Sequence, residues 1–127
     1  MIFDTDILVW YLRKHRRAAA FVENFPLSER HIPVISYLEL LNGCRNNGEL
    51  REFRLIAHEA FDEVVLLDED VSDIAVRLME RFVLSRRPQV TDVLIAATAL
   101  SRGEPLATAN RKHFESFAGL QLKIFRP

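Results

Sequence analysis

The chain has 127 residues, of which 49% are apolar and 28% charged, a composition typical of one globular domain covering residues 1–127. Its formal net charge of −1 excludes a globally basic surface, so any polyanion has to be bound by local patches. Cys44 is the only cysteine, which excludes an intrachain disulfide and favours a reducing, cytoplasmic location. No apolar run approaches the ~20 residues of a membrane span, and no signal-peptide pattern is present, so we expect no membrane contact.

Short apolar segments alternate with helical patterns along the chain. The predicted strands cover residues 2–3, 32–35, 64–67, 105–108 and 122–125. The predicted helices cover residues 7–12, 18–25, 36–43, 49–61, 71–82, 92–101 and 111–117. Pro33 favours an edge or first position for its strand, and residues 64–67 lack alternation, which is typical of a strand covered on both faces. The alternation predicts the α/β class, with a parallel sheet and helices on both faces.

Four polar side chains lie at predicted strand ends or near helix starts. Asp4 follows the first strand, and Glu39 lies one turn into the helix after the second strand. Asp92 begins an otherwise apolar helix, and Asn110 follows the fourth strand. Because ligands in open α/β sheets bind at the carboxyl ends of the strands, we predict that these four side chains meet at one rim.

Each of these residues also has an ordinary structural explanation. Ser36 and Glu39 match the Ser-x-x-Glu capping box. Asp92, directly after the capping candidate Thr91, is favoured by the helix dipole, and Asn110 is a suitable cap for the helix after it. Taken one at a time, these explanations outweigh catalysis, because caps are common.

The combination points to a metal site. Carboxylates gathered in one cleft are driven toward protonation unless a cation neutralises them. Oxygen ligands without cysteine or histidine favour Mg²⁺ or Mn²⁺ over zinc. Such an ion lowers the pKa of a water and polarises a phosphate oxygen, which is the chemistry of phosphodiester hydrolysis.

The segments around the four residues resemble the PIN-domain family. Ile-Phe-Asp-Thr-Asp at 2–6 is similar to its opening motif, and Ser-Tyr-Leu-Glu at 36–39 to its second. Thr-Asp-Val-Leu-Ile-Ala at 91–96 resembles the third, and Leu-Ala-Thr-Ala-Asn-Arg-Lys-His-Phe at 106–114 the last. The motifs stand in family order and spacing, and the ending looks most like the VapC-type toxins of toxin–antitoxin pairs.

The resemblance implies a three-layer α/β/α fold whose central parallel sheet has the order 3-2-1-4-5. It implies an Mg²⁺- or Mn²⁺-dependent endoribonuclease with Asp4, Glu39 and Asp92 as catalytic metal ligands and Asn110 in the place of a fourth acid. The implied partners are an RNA substrate such as tRNA or rRNA, a small VapB-like antitoxin that holds the enzyme inactive, and a second copy in a homodimer. Two residues depart from the pattern. Asp6 replaces a common Asn and either adds a ligand or caps the helix, while Asn110 replaces an Asp and weakens any second metal site.

Hydroxyl and basic side chains flank the predicted site. Thr5, Ser36 and Thr108 can hold waters or orient the acids, with capping as the alternative. The side chains available for RNA phosphates are Arg13, Lys14, Arg86, Arg87, Arg111 and Lys112. A solvated charged face is an equally good explanation for them. For His113 we expect packing near the site rather than a role as general base.

Other functions remain open from the residues. A PIN-like fold without metal binding would act only as an interaction scaffold, although three intact acids argue against it. An Asp-x-Asp phosphohydrolase would use Asp4 as nucleophile and Asp6 as acid/base, but Leu8 stands where that class has Thr or Val. A phosphoacceptor receiver domain built on Asp68 would leave Glu39 and Asp92 without a role.

Overall fold

The computed structural model describes residues Met1–Pro127 and contains five strands and seven α-helices. The strands are β1 (Ile2–Phe3), β2 (His31–Pro33), β3 (Glu63–Val65), β4 (Leu106–Thr108) and β5 (Leu122–Ile124). The helices are α1 (Thr5–Leu12), α2 (Arg16–Glu23), α3 (Val34–Asn42), α4 (Asn47–Ala60), α5 (Glu69–Phe82), α6 (Val90–Arg102) and α7 (Arg111–Phe114). A 3₁₀ turn at Leu27–Glu29 leads into β2.

The five strands form one parallel sheet in the order β3-β2-β1-β4-β5, which confirms the predicted topology. β1 lies at the centre, where Ile2 pairs with His31 on one side and Leu106 on the other. Because β1 has only two residues, the chain leaves the sheet immediately at Asp4, whose N–H still bonds the Ala107 carbonyl at 2.9 Å. The first acid is therefore held at the carboxyl edge by the sheet itself.

Helices cover both faces of the sheet, as predicted for three α/β/α layers. Successive side chains of a strand point to opposite faces, so Ile2 and Phe3 enter two different cores. Ile2 packs with α5, α6 and α7, whereas Phe3 packs with α1, α2, α3 and α4. The Phe3 ring is fully buried and makes edge contacts with the rings of Phe21, Phe25 and Phe61.

Two predictions about the second strand are wrong. Residues 34 and 35, predicted as strand, already belong to α3. β2 is an interior strand between β1 and β3, although Pro33 favoured an edge or first position. Pro33 is tolerated because it is the last residue of the strand, where the hydrogen-bond ladder ends, and its φ of −64° suits the position before a helix.

The third strand is shorter than predicted and lies at the edge of the sheet. Leu66 and Leu67 follow it and are 67% and 40% exposed, so the apolar run 64–67 does not mark a strand covered on both faces. None of the helices is both long enough and apolar enough to cross a membrane.

Candidate active site

Asp4 is a buried acid at the junction of β1 and α1. Its side chain is 5% exposed and accepts two hydrogen bonds of 2.7 Å, one from the Thr5 N–H and one from the Thr108 hydroxyl. Burial raises the pKa of Asp4 from 3.8 to about 6, because the two hydrogen bonds only partly offset the loss of hydration and the charges of Asp6 and Asp92 add to it. No cationic side chain pairs with this carboxylate, so its charge is poorly compensated at neutral pH.

Asp92 lies in the first turn of α6, close to the Asp4 carboxylate. The helix begins at Val90 after Gln89, so the predicted cap at Thr91 is wrong. Burial raises the pKa of Asp92, as do the charges of Glu39 and Asp6, while His113 lowers it. His113 Nδ1 lies 3.2 Å from Asp92 Oδ2, and the His113 side chain is 51% exposed.

Glu39 is positioned by α1 as well as by its own helix. α3 begins at Val34, and Ser36, fully buried, caps nothing, so the capping-box explanation is wrong. Thr5 Oγ1 lies 2.9 Å from Glu39 Oε1 and 2.8 Å from Ser36 Oγ. A hydroxyl has one proton, so when Thr5 donates to the Glu39 carboxylate it accepts from Ser36. The three side chains therefore join α1 to α3 and orient Glu39.

Asn110 contacts the first helix rather than capping its own. The Asn110 amide nitrogen donates to Asp6 Oδ2 at 2.9 Å, and no side-chain cap is formed on α7. The backbone N–H of Asn110 bonds Thr108 Oγ1 at 2.9 Å, the same hydroxyl that donates to Asp4. Asp6 is exposed in the first turn of α1, whose cap is Asp4. Only the amide oxygen of Asn110 is therefore left to bind a cation.

The four acids form one electrostatic site at the carboxyl ends of β1 and β4. Asp4 is influenced by Asp6 and Asp92, and Asp92 by Glu39 and Asp6. Three or more His, Cys, Asp or Glu side chains are nowhere arranged closely enough to enclose a metal ion. Mg²⁺ does not need such a cage, because it keeps several waters and uses one or two carboxylates. Oxygen donors around an uncompensated buried carboxylate fit a hard divalent cation.

His113 is the residue that the sequence interpretation undervalued. We expected packing, but its ring is half exposed and contacts Asp92. The backbone N–H of His113 donates to the backbone carbonyl of Asn110 at 3.0 Å. His113 therefore lies one turn after Asn110, next to the site. That spacing of three residues at the start of a helix is the signal that would have identified it.

The six basic residues predicted for RNA contact do not share one surface. Three of them, Arg86, Arg87 and Lys112, line a cleft of about 440 Å³. Arg13 lines a different groove of about 580 Å³ between α1, α3 and α4, which also contains Glu39. Lys14 and Arg111 are exposed and line neither.

Comparison with known proteins gives consistent results over nearly the whole chain. The family model described as PIN domain matches residues 1–120. The chain is 36% identical over 126 aligned positions to Ribonuclease VapC19 of Mycobacterium tuberculosis, covering 94% of this chain and 96% of that protein. It is 30% identical over 129 positions to Ribonuclease VapC1 of Methanocaldococcus jannaschii, covering 98% of this chain and 86% of the relative.

A solved structure shows the same fold. VapBC-1 from nontypeable Haemophilus influenzae superimposes with a TM-score of 0.80 at 25% identity, covering 98% of each chain. The predicted resemblance is thus confirmed by sequence and by structure. The chain belongs to the PIN domain family.

Proposed function

We propose that this PIN-domain protein is an endoribonuclease that depends on Mg²⁺ or Mn²⁺ and is held inactive by a small VapB-like antitoxin. The observation that carries the proposal is the Asp4 carboxylate, which is buried without a cationic partner among Asp6, Asp92 and Glu39. Two relatives that align over nearly the whole chain are named ribonucleases, which supports RNA as the substrate.

The chain's own residues divide the work between holding a cation and orienting the acids. Of the carboxylates of Asp4, Asp92 and Glu39, one or two would hold the cation directly and the rest would act through its waters, and Asn110 would contribute at most its amide oxygen. When bound, the cation supplies Lewis acidity at the phosphodiester and lowers the pKa of a water.

Hydroxyl and histidine side chains contact the carboxylates and fix their orientation. Thr108 fixes the Asp4 carboxylate, and Thr5 with Ser36 fixes Glu39. His113 contacts the Asp92 carboxylate through Nδ1 at 3.2 Å and so limits its orientation. Because these contacts preset the positions of the acids, the site needs little rearrangement before reaction.

The test is RNA cleavage by the partner-free protein with Mg²⁺, Mn²⁺ or EDTA. Asp92→Asn keeps the shape of the side chain and removes its charge, so we expect cleavage to fall by at least ~100-fold, the usual size of a lost electrostatic contribution to catalysis. The matched control is Asp73→Asn, an exposed Asp on α5 paired with Arg77, which should cleave like the wild type. Cleavage that survives both EDTA and Asp92→Asn contradicts the metal site.

The RNA cleavage experiment, together with an assay on a small phosphomonoester, distinguishes the competing functions. No cleavage of total RNA by a folded protein with either metal would favour the scaffold interpretation. Release of phosphate from a small phosphomonoester, lost in Asp6→Asn but with RNA left intact, would favour the Asp-x-Asp phosphohydrolase.

The proposed partners are an antitoxin and a second copy of the chain. The structural relative from Haemophilus influenzae is a VapBC pair, which supports an antitoxin for this chain. Co-expression with a candidate VapB-like antitoxin should abolish cleavage at equimolar ratio, and sedimentation should show a dimer of the toxin alone. Unchanged cleavage in the presence of that protein would contradict it as the antitoxin. We place the activity in the cytoplasm, as the cysteine usage predicts.

A further inference from the structure

A cleft beside Asp92 contains the least compensated positive charge near the candidate site. The cleft is lined by residues 85–89, between α5 and α6, by Asp92 of α6, and by Lys112, His113, Ser116 and Phe117 from α7 and the segment after it. We call this the α5–α6 cleft. Its volume is about 440 Å³.

The cationic side chains of the α5–α6 cleft have no partners. Arg86, Arg87 and Lys112 are exposed, and none is in an ion pair or a side-chain hydrogen bond. Other arginines of the chain are paired, for example Arg45 with Glu49 and Arg102 with Glu63. Three cations therefore face the single carboxylate of Asp92, and the cleft carries excess positive charge that an anion would neutralise.

The arginine wall is held by the backbone rather than left as a loose loop. The N–H groups of Arg86 and Arg87 both bond the Phe82 carbonyl at the end of α5, at 2.9 and 3.1 Å. Arg87 has a φ of 45°, a left-handed conformation that a residue with a side chain adopts only when its surroundings impose it. Pro88 follows directly and leads into α6. The backbone of the two arginines is thus fixed next to the end of α5.

The walls favour a phosphate over a base. Phe117 is the only Phe, Tyr or Trp that lines the cleft, and it is 2% exposed, so its ring face is not available for stacking. The one exposed aromatic ring in the cleft is the imidazole of His113, which already contacts Asp92, so few surfaces are left on which bases can stack. Arg and Lys, in contrast, bind backbone phosphates of any sequence. The groove containing Arg13 is a poorer candidate, because Glu39, Glu49 and Glu52 line it and repel phosphate.

We propose that the α5–α6 cleft binds a backbone phosphate of the RNA strand next to the one that is cleaved. Asp92 belongs both to the cleft and to the acid cluster, so a strand whose phosphate lies among Arg86, Arg87 and Lys112 has an adjoining linkage at the acids. His113 also lines the cleft and contacts Asp92. The proposal rests on the proposed ribonuclease function and names the part of the substrate that this surface recognises.

Salt dependence of binding is the first test. A 2′-O-methyl single-stranded RNA oligonucleotide is titrated by fluorescence anisotropy at several salt concentrations in EDTA, which removes the metal that cleavage requires. The variant Arg86→Gln/Arg87→Gln/Lys112→Gln should reduce the slope of log Kd against log salt by about 0.7, since each phosphate that is no longer neutralised contributes roughly that amount for single strands. The matched control Arg51→Gln/Arg54→Gln/Lys123→Gln makes the same change in net charge at exposed sites elsewhere. It should leave the slope unchanged.

A neutral linkage then locates the phosphate. A single methylphosphonate moved along the oligonucleotide should weaken wild-type binding most at one linkage, and the same substitution should have no effect in the triple variant. With cleavable RNA, KM should rise while kcat stays nearly unchanged, because the contact is made in both the ground state and the transition state. Circular dichroism checks that both variants fold.

The outcomes distinguish the two proposals. If the wild type cleaves RNA but the triple variant keeps its slope and KM, or loses no more than the control, the cleft does not bind substrate and this inference is overturned. If the folded wild type neither binds nor cleaves RNA, the ribonuclease proposal has failed, and the cleft proposal with it.

Discussion

Asp4 is expected to lower the stability of the protein at neutral pH. The carboxylate is buried, and its pKa is raised from 3.8 to about 6. Between pH 4 and pH 6 the Asp4 carboxyl binds more protons in the folded state than in the unfolded state. The free energy of unfolding therefore falls as the pH rises from about 4 to about 6. Asp4→Asn removes the charge but can keep both hydrogen bonds. The Asn oxygen accepts from the Thr5 N–H, and the amide donates to Thr108, whose oxygen has a second lone pair.

The size of the effect follows from the pKa. A pKa that rises from 3.8 to about 6 corresponds, at 1.36 kcal/mol per unit, to about 3 kcal/mol of stability lost when Asp4 is fully ionised. Roughly 2 kcal/mol of this is lost between pH 4.5 and 7.5, because Asp4 is already partly ionised in the unfolded chain at pH 4.5. Asp4→Asn should therefore be more stable than the wild type at pH 7.5, with a smaller gain at pH 4.5.

Urea unfolding in EDTA at the two pH values measures this difference. Other carboxylates also titrate, so the informative quantity is the free energy of unfolding of Asp4→Asn minus that of the wild type at each pH. Asp73→Asn, at an exposed site, serves as control and should give the same small difference at both. A difference for Asp4→Asn that does not grow with pH would refute the argument that burial raises the Asp4 pKa.

Three further predictions concern the metal, a helix cap and the core. Mg²⁺ at a hundredfold excess over its Kd should stabilise the wild type by about 2.7 kcal/mol and raise its Tm. The Tm of Asp4→Asn should not change when Mg²⁺ is added, and an equal rise in both proteins would contradict binding at Asp4. Asp68→Ala removes the carboxylate that accepts the Val71 N–H at 2.8 Å and should cost about 1 kcal/mol in urea unfolding, whereas no loss would mean that water replaces the cap. Phe3→Ala should cost about 3–5 kcal/mol, because the ring is fully buried against three others; a loss below 1 kcal/mol would show that the site collapses.

The position of the site at one edge of the sheet was predictable from the sequence, because polar residues follow two of the predicted strands. Asp4 and Asn110 directly follow short apolar runs, and parallel pairing then brings them to one edge. The order of the strands came from the family resemblance, since alternation of strands and helices alone permits other orders. The roles of Asp4, Glu39, Asp92 and Asn110 in catalysis stay predictions, although the structure brings these side chains together.

The predictions that were wrong concern features that depend on tertiary contacts. Ser36 and Glu39 fit a local capping pattern, but α3 starts two residues before Ser36. The Ser36 hydroxyl is hydrogen-bonded to the hydroxyl of Thr5 in α1 instead. The apolar run 64–67 predicted a strand covered on both faces, but the structure has it at the edge of the sheet, because apolar composition alone does not show where in a sheet a strand lies. The division of the basic residues between two surfaces was not visible either, since it depends on how α4, α5 and α7 are arranged around the sheet.

The hydrogen bond between Thr108 and Asp4 joins residues that are 104 positions apart. Closing so long a loop costs entropy before any contact is gained, and contacts of this sequence separation form slowly. Because β1 pairs with β4 as well as β2, a chain still lacking β4 leaves the central strand unpaired on one side and the Asp4 carboxylate without its hydroxyl partner. The acid cluster is therefore assembled only after β4 has been synthesised, so a nascent chain that still lacks β4 carries most of the acids of the site without their geometry.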